Sequence, residues 1–295
     1  MSEIEHYPVL HREVLQFFKQ IKKGYIVDAT VGGGGHSYLI LKNLPEVKIV
    51  GIDKDEYALE KAEEKLKTFK GRYILVKSSF KDIDRILEDL RIKDITGFLF
   101  DLGVSTFHLK TERGFSFQRD EFLDMRMDKS QHLTAYKVVN KYPKDLLEKI
   151  IFEYGEEKFA RRIVKNIIEE RKKKPIETTK QLADIVYRSY PPALRRGRIH
   201  PATKTFQAIR IEVNNELSEI KEGVSKAIDI LNKGGIIQVI SFHSLEDRIV
   251  KNIFREAKKL KKLDILTKKP ITPGKEEIKE NPPSRSAKLR AGKKV

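Results

Sequence analysis

Between residues 25 and 101 short apolar runs alternate with longer stretches whose apolar residues recur at helical spacing, and this alternation restricts the chain more than any other feature. The runs at 25–30, 48–53, 73–77 and 97–101 are rich in Ile, Val, Leu, Phe and Tyr and are too short for helices. Between the second and third, Ala58, Leu59, Ala62 and Leu66 fall on one helical face; between the third and fourth, Ile83, Ile86, Leu87 and Leu90 do the same. Parallel strands need a crossover connection, so strand–helix repeats of this kind build a parallel sheet with helices packed over its faces. The predicted class is α/β.

After Asp101 the strand signal stops. Segments 143–154, 156–174 and 178–189 read as helices separated by Pro or turn residues, and a long helical pattern follows from about 203 to 232. Lys233, Gly234 and Gly235 end it, and the apolar run 236–242 reads as a fifth, buried strand. Short strands are expected at 263–267 and 286–291. The organisation that follows is a discontinuous sheet domain, residues 1–104 and 205–295, interrupted by a helical insertion at 105–204.

Charge is distributed unevenly. The net charge is +17, and residues 161–210 hold 14 Lys/Arg against 4 Asp/Glu while residues 251–295 hold 15 against 5. Such segregation suits a protein that meets a polyanion along particular surfaces, since neutralised phosphates release counterions and drive association. Nucleic acid is the expected partner. The absence of cysteine excludes disulfides, thiolate catalysis and thiolate metal sites. No apolar stretch approaches the roughly 18 residues that span a bilayer, and the opening residues lack a signal-peptide pattern, so no membrane association and a cytoplasmic location are expected.

The chemistry-bearing residues sit at strand ends. The first strand runs through Asp28, Ala29, Thr30 and Val31 into Gly32, Gly33, Gly34, Gly35 and His36, a glycine loop that lets a ligand approach the backbone before a helix begins. The dinucleotide fingerprint GxGxxG fails here, because its third glycine would fall on Ser37 or Tyr38. The second strand ends in Asp53, placed to accept hydrogen bonds from ribose hydroxyls; with the glycine loop it favours an adenosyl ligand over a nicotinamide dinucleotide. Phe80 follows the third strand, where it either packs on an adenine or forms a core contact. Asp101 follows the apolar Phe98, Leu99 and Phe100, and an unpaired carboxylate is costly to bury there. No metal-ligand spacing such as HxH or HExxH occurs, so no metal is expected. Ser241, His243, Ser244 and Asp247 crowd one segment without a GxSxG elbow, which argues against a hydrolase triad.

Several stretches together resemble the ribosomal RNA small subunit methyltransferase H family, the bacterial N4-cytosine methyltransferases. They include HYPVLHREVL at 6–15, DATVGGGGHS at 28–37, GIDKDEYAL at 51–59, FDLGVS at 100–105 and ERGFSFQRDEFLDMRMD at 112–128. Later come EYGEEKFARRIV at 153–164, HPATKTFQAIRIEVNNEL at 200–217, SFHSLEDRIVK at 241–251 and NPPSRSAKLR at 281–290. The resemblance implies a class I, Rossmann-like S-adenosylmethionine-dependent methyltransferase sheet with an inserted all-helical domain. It implies transfer of a methyl group from S-adenosylmethionine to the N4 amine of a cytidine in the decoding region of 16S rRNA, with the small ribosomal subunit as partner.

Carried over by motif, the S-adenosylmethionine contacts fall on Gly34, Gly35, His36, Asp53, Phe80, Asp101 and His108. Where the family commonly reads SSPQ, this chain has Ser105, Thr106, Phe107 and His108, and Pro283 stands where the family usually has Arg. Asp101 is the candidate acceptor near the reacting amine. Arg113, Phe115, Phe117 and Arg126 are candidates to border the target base, and Arg195, Arg196 and Arg198 to meet phosphates. The competing reading is a non-catalytic RNA-binding ribosome-assembly factor, for which the combined set of Asp53, Asp101 and glycine loop would be superfluous.

Overall fold

The computed structural model describes residues 7–103, 112–197 and 199–295 and divides into two compact units, residues 1–103 with 217–295, and residues 104–216. His108 and Arg198 lie outside the described residues.

The first unit is built on one sheet. Its strands are β1 (Gly24–Asp28), β2 (Val47–Asp53), β3 (Tyr73–Lys77), β4 (Ile95–Asp101), β5 (Ile236–Ser241), β6 (Leu263–Ile265) and β7 (Lys288–Lys294), in the order β3-β2-β1-β4-β5-β7-β6. The first five are parallel; β7 runs antiparallel between β5 and β6. Alternation along each strand divides its side chains between two cores. Ile26, Ile49, Leu99, Ile236 and Ile240 face Leu10, Val14 and Phe18 of the amino-terminal segment and Ile40 and Leu41 of the helix after β1. Val27, Val50, Phe98, Phe100, Ile237 and Val239 belong to the other core, with Ile83, Val224, Ile228, Val250 and Phe254. The helices concerned are α1 (His11–Phe18), α2 (Gly35–Asn43), α3 (Glu56–Leu66), α4 (Ile83–Asp89), and later in the chain Glu216–Ile230 and Ser244–Lys259. This is the Rossmann-like sheet of class I methyltransferases that the resemblance implies.

The carboxy-terminal strand differs from its expected bounds for a local reason. Pro282 and Pro283 start a 3-10 turn at Pro282–Ser286, so pairing begins only at Lys288 and then extends to Lys294. A bidentate pair holds this edge, Arg290 Nε and Nη2 donating to the Asp247 carboxylate at 2.7 and 3.1 Å.

The second unit is helical: α5 (Ala135–Lys141), α6 (Lys144–Gly155), α7 (Ala160–Lys173), α8 (Thr179–Ser189) and α9 (Ala202–Asn214). A capping box between Thr178 and Gln181 starts α8. Its core includes Phe115, Leu123, Val138, Ile151, Ile163, Val186 and Ile209. The helical pattern expected to run unbroken from 203 to 232 is two helices, because Asn215 takes the left-handed conformation (φ 52°, ψ 35°) that ends α9 before α10 (Glu216–Ile230). Asn is among the few residues that adopt this geometry readily. The return to the sheet unit therefore falls at 217, not 205, since α9 packs on α6 and α5.

Among the described residues no helix is long and apolar enough to cross a membrane.

Candidate active site

Parallel strands align their carboxyl ends, so Asp28, Asp53 and Asp101, which end β1, β2 and β4, share one edge of the sheet. The loop leaving β1 is stitched to its neighbours before any ligand is considered. The N–H of Ala29 donates to Leu99 O, that of Val31 to Ile52 O and that of Gly34 to Val31 O. Gly34 then adopts φ 76°, ψ 17°, and a Cβ there would lie 3.2 Å from the Ala62 Cα, so both its conformation and its packing need glycine.

Asp53 does two jobs in the loop. Its Oδ2 accepts from the Gly32 N–H at 2.9 Å and its Oδ1 from the Asp55 N–H at 2.9 Å. Asp101 is positioned from its backbone, its N–H donating to Thr30 Oγ1 at 2.6 Å. Phe80 lies in the 3-10 turn after β3, edge-on to Phe100 with ring centroids 5.5 Å apart, and a Cβ on Gly223 of α10 would come within 2.6 Å of its ring. The core contact foreseen for Phe80 is thus present, and its ring is fixed in place whether or not it also meets a ligand.

At the base of the loop lies a buried polar cluster. His36, the first helical histidine of α2, is 6% exposed and its Nε2 stands 3.7 Å from Asp101 Oδ2, whose side chain is 25% exposed. Ser37 Oγ donates to Asp28 Oδ2 at 2.6 Å. Burial pushes the Asp28 carboxyl up to about 6, against the opposing pull of Ser37 and His36. Asp28 Oδ1, His36 Nε2 and Asp101 Oδ1 are buried and have no hydrogen-bond partner among the described residues. Unsatisfied polar atoms are expensive to bury, and three of them at one place in a strand-end crevice are what a polar ligand would satisfy. A glycine cradle, a carboxylate at the second strand end and a further strand-end carboxylate, Asp101, fit S-adenosylmethionine, whose ribose hydroxyls need acceptors and whose sulfonium and ammonium are positive.

The helical-unit candidates meet different fates. Phe115 is 9% exposed and belongs to the core, so its faces are taken up by packing. Arg126 forks onto the Asp124 carboxylate at 2.6 and 3.1 Å and also donates to the carbonyls of Lys129 and Gln131, which makes it a brace for the 123–131 segment. Arg113 is 7% exposed and lies 3.4 Å from the Met127 carbonyl. Phe117 is half-buried, stacked on His200, and Arg195 and Arg196 reach the surface.

Two residues that shape these sites were not among the candidates read from the sequence. Asp28 carries the same strand-end signal as Asp53 and Asp101, which would have flagged it. Asn214 accepts from the Met127 N–H at 2.9 Å and donates to the Met125 carbonyl at 2.8 Å, holding a segment 89 residues away, and no local pattern announces that. The region around His243 is a helix cap: His243 accepts from the Glu246 N–H, Ser241 lies near Lys288 O and Asp247 is occupied by Arg290, so no triad forms.

The sheet order, the glycine loop and the strand-end acids define the class: an α/β protein with the class I methyltransferase fold. The particular family follows from comparison, since the profile of the MraW methylase family matches residues 3–295, and the chain belongs to that family. A protein of Persephonella marina called Ribosomal RNA small subunit methyltransferase H is 75% identical over 99% of this chain and the whole of that one. A protein of the same name from Sulfurihydrogenibium azorense is 70% identical over 99% and 100%, and one from Thermotoga neapolitana 51% identical over 98% and 96%.

Proposed function

We propose that the chain transfers a methyl group from S-adenosylmethionine to the N4 amino group of a cytidine in 16S rRNA of the small ribosomal subunit. The observation that carries this reading is the 3.7 Å approach of His36 to Asp101 beside the glycine loop, in a chain 75% identical to a protein named as a small-subunit rRNA methyltransferase.

When bound, S-adenosylmethionine supplies an electrophilic methyl group. The residues of the chain then have to orient a poor nucleophile, because the N4 lone pair of cytosine is delocalised into the ring. A carboxylate that accepts an N–H bond restores lone-pair character to the nitrogen, and Asp101 Oδ1, buried and without a partner among the described residues, has that capacity. His36 faces the same carboxylate and helps hold its charge. Gly34, Gly35, Asp53 and Phe80 hold the donor, and His108 is carried into this set by its motif position.

The helical unit contributes recognition. The basic stretch 161–210 lies wholly within it; Lys172, Lys180 and Arg196 are exposed members that can meet phosphates, whereas Arg171 and Arg195 donate to backbone carbonyls and Arg210 pairs with Glu216. The test is transfer of labelled methyl from S-adenosylmethionine to small subunits, their naked RNA, large subunits and DNA, followed by nucleoside analysis. Label in N4-methylcytidine from small-subunit RNA is the expected result, and Asp101→Asn lowers kcat. Donor binding without transfer to any RNA would sink the enzymatic reading and favour a non-catalytic assembly factor.

A further inference from the structure

The carboxy-terminal basic stretch, 15 Lys/Arg against 5 Asp/Glu over residues 251–295, has no part in the chemistry above, and its beginning lies on one helix. In the sheet unit, α11 (Ser244–Lys259) buries Val250, Phe254 and Ala257 in the sheet core, with Ile249 and Ile253 partly buried beside them. At about 100° per residue, Lys251, Arg255, Lys258 and Lys259 point away from that face, at positions i, i+4, i+7 and i+8 of a stripe about 12 Å long. Lys251 is half-buried and the other three are exposed. Among the described residues none of the four forms an ion pair. Exposed faces elsewhere mix their signs: Lys61 pairs with Glu64, Lys165 with Glu169, and Lys226 with Asp84 and Glu222. On α11 Glu246 is buried and Asp247 carries Arg290, so the exposed acid that remains is Glu256.

Helix stability does not explain the stripe. The dipole favours cations in the last turn and accounts for Lys258 and Lys259, but Lys251 and Arg255 stand in earlier turns. Like charges at i,i+4, such as Lys251 with Arg255 and Arg255 with Lys259, destabilise a helix. A membrane surface is a poor occupant, because a helix that lies on lipid offers it an apolar face and the apolar face of α11 is spent on the sheet. A single small anion is held by charges that converge in a concavity, whereas these stand in line on a convex surface. A line of unneutralised cations fits an extended polyanion, and the backbone of RNA is one.

We propose that α11 is an RNA-contact surface of the sheet unit, on which Lys251, Arg255, Lys258 and Lys259 follow the phosphates of a strand without reading its sequence. The inference rests on the reading of the substrate as RNA and deepens it: each unit carries phosphate contacts of its own, and the sheet unit grips RNA as well as the methyl donor.

The experiment titrates the full chain with naked small-subunit rRNA and with an RNA hairpin of unrelated sequence over a range of salt concentrations. A triple variant, Lys251→Gln with Arg255→Gln and Lys259→Gln, removes three charges and keeps good helix formers. Each phosphate contact adds about 0.7–0.9 to the slope of log affinity against log salt, so the variant should lower that slope by about 2–3 on both RNAs. By the same slope each contact is worth about five- to eightfold in affinity at 0.1 M salt relative to 1 M. S-adenosylmethionine affinity and melting temperature stay as in the wild type. Exchanging the cations, Lys251→Arg with Arg255→Lys and Lys259→Arg, keeps the slope. A control that loses the same net charge from exposed positions at and beyond the end of α3, Lys65→Gln with Lys67→Gln and Lys70→Gln, should change the slope by less than about 1. An unchanged slope in the α11 triple variant, or an equal fall in the control, would overturn the surface while leaving methyl transfer by the wild type intact. A wild type that transfers no methyl, yet binds RNA with a slope that falls in the α11 variant alone, would overturn the enzymatic reading and keep the surface. An α11 variant that binds naked RNA normally but fails on assembled subunits would assign the stripe to an acidic protein partner, and so refute it.

Discussion

Replacing Asp28 by Asn tests whether the chain carries a destabilising charge beneath its glycine loop. The carboxyl is 1% exposed and receives hydrogen bonds from the Ser37 hydroxyl and the Thr30 backbone. Burial pushes it up to about 6 from an ordinary 3.8. The folded chain therefore keeps the proton between about pH 4 and 6, where the unfolded chain has released it. Stability is fully present below the unfolded value, falls as pH rises through this window, and above it the ionised group costs about 3 kcal/mol. Asparagine keeps an acceptor for Ser37 and carries no charge, so it escapes that penalty. Calorimetric melting of the two proteins across pH 4 to 8 is the assay. The variant should match the wild type near pH 4, gain about half the difference by pH 5, and melt about 5 °C higher at pH 7.5, given about 2.1 cal/mol/K per residue of unfolding entropy. A melting difference that stays constant with pH, or a variant that is less stable by the same amount throughout, would refute the reasoning.

Three further perturbations probe other parts of the design. Gly34→Ala forces a side chain into a left-handed conformation and against Ala62, costing about 1–2 kcal/mol, and should weaken S-adenosylmethionine binding measured by calorimetry. Asp247→Ala leaves a buried Arg290 without its bidentate partner and should lower urea-measured stability by about 3 kcal/mol; adding Arg290→Met should recover most of it, and a loss that persists in the double variant would contradict the pairing argument. Asn214→Ala strands the Met127 N–H and the Met125 carbonyl, a cost of about 2–4 kcal/mol by denaturation; full stability in this variant would mean that the 123–128 segment is held by other contacts.

Periodicity determined a good deal of this protein by itself. Strands β1 to β5, the helices between them and the glycine loop are written in local patterns, because a pleat repeats every two residues and a helix every 3.6, and because a tight phosphate- or nucleoside-binding turn demands glycine whatever surrounds it. The same holds for the carboxylates that close β2 and β4. What local pattern does not carry is pairing and burial. The insertion of β7 antiparallel between β5 and β6 is decided by which edge is left open when the parallel strands have assembled. The break at Asn215 separates a helix that belongs to the helical core from one that belongs to the sheet core, and only packing shows that. Phe115 and Phe117, two positions apart in one motif, are alike as sequence; one lies in the helical core and the other stacks on His200, 83 residues further along. The charge state of Asp28 follows from the side chains that close over it, Ser37 and His36 among them. Burial, and with it every shifted proton and every freed or spent side chain, belongs to contacts between distant residues, and those exist only once the chain has folded.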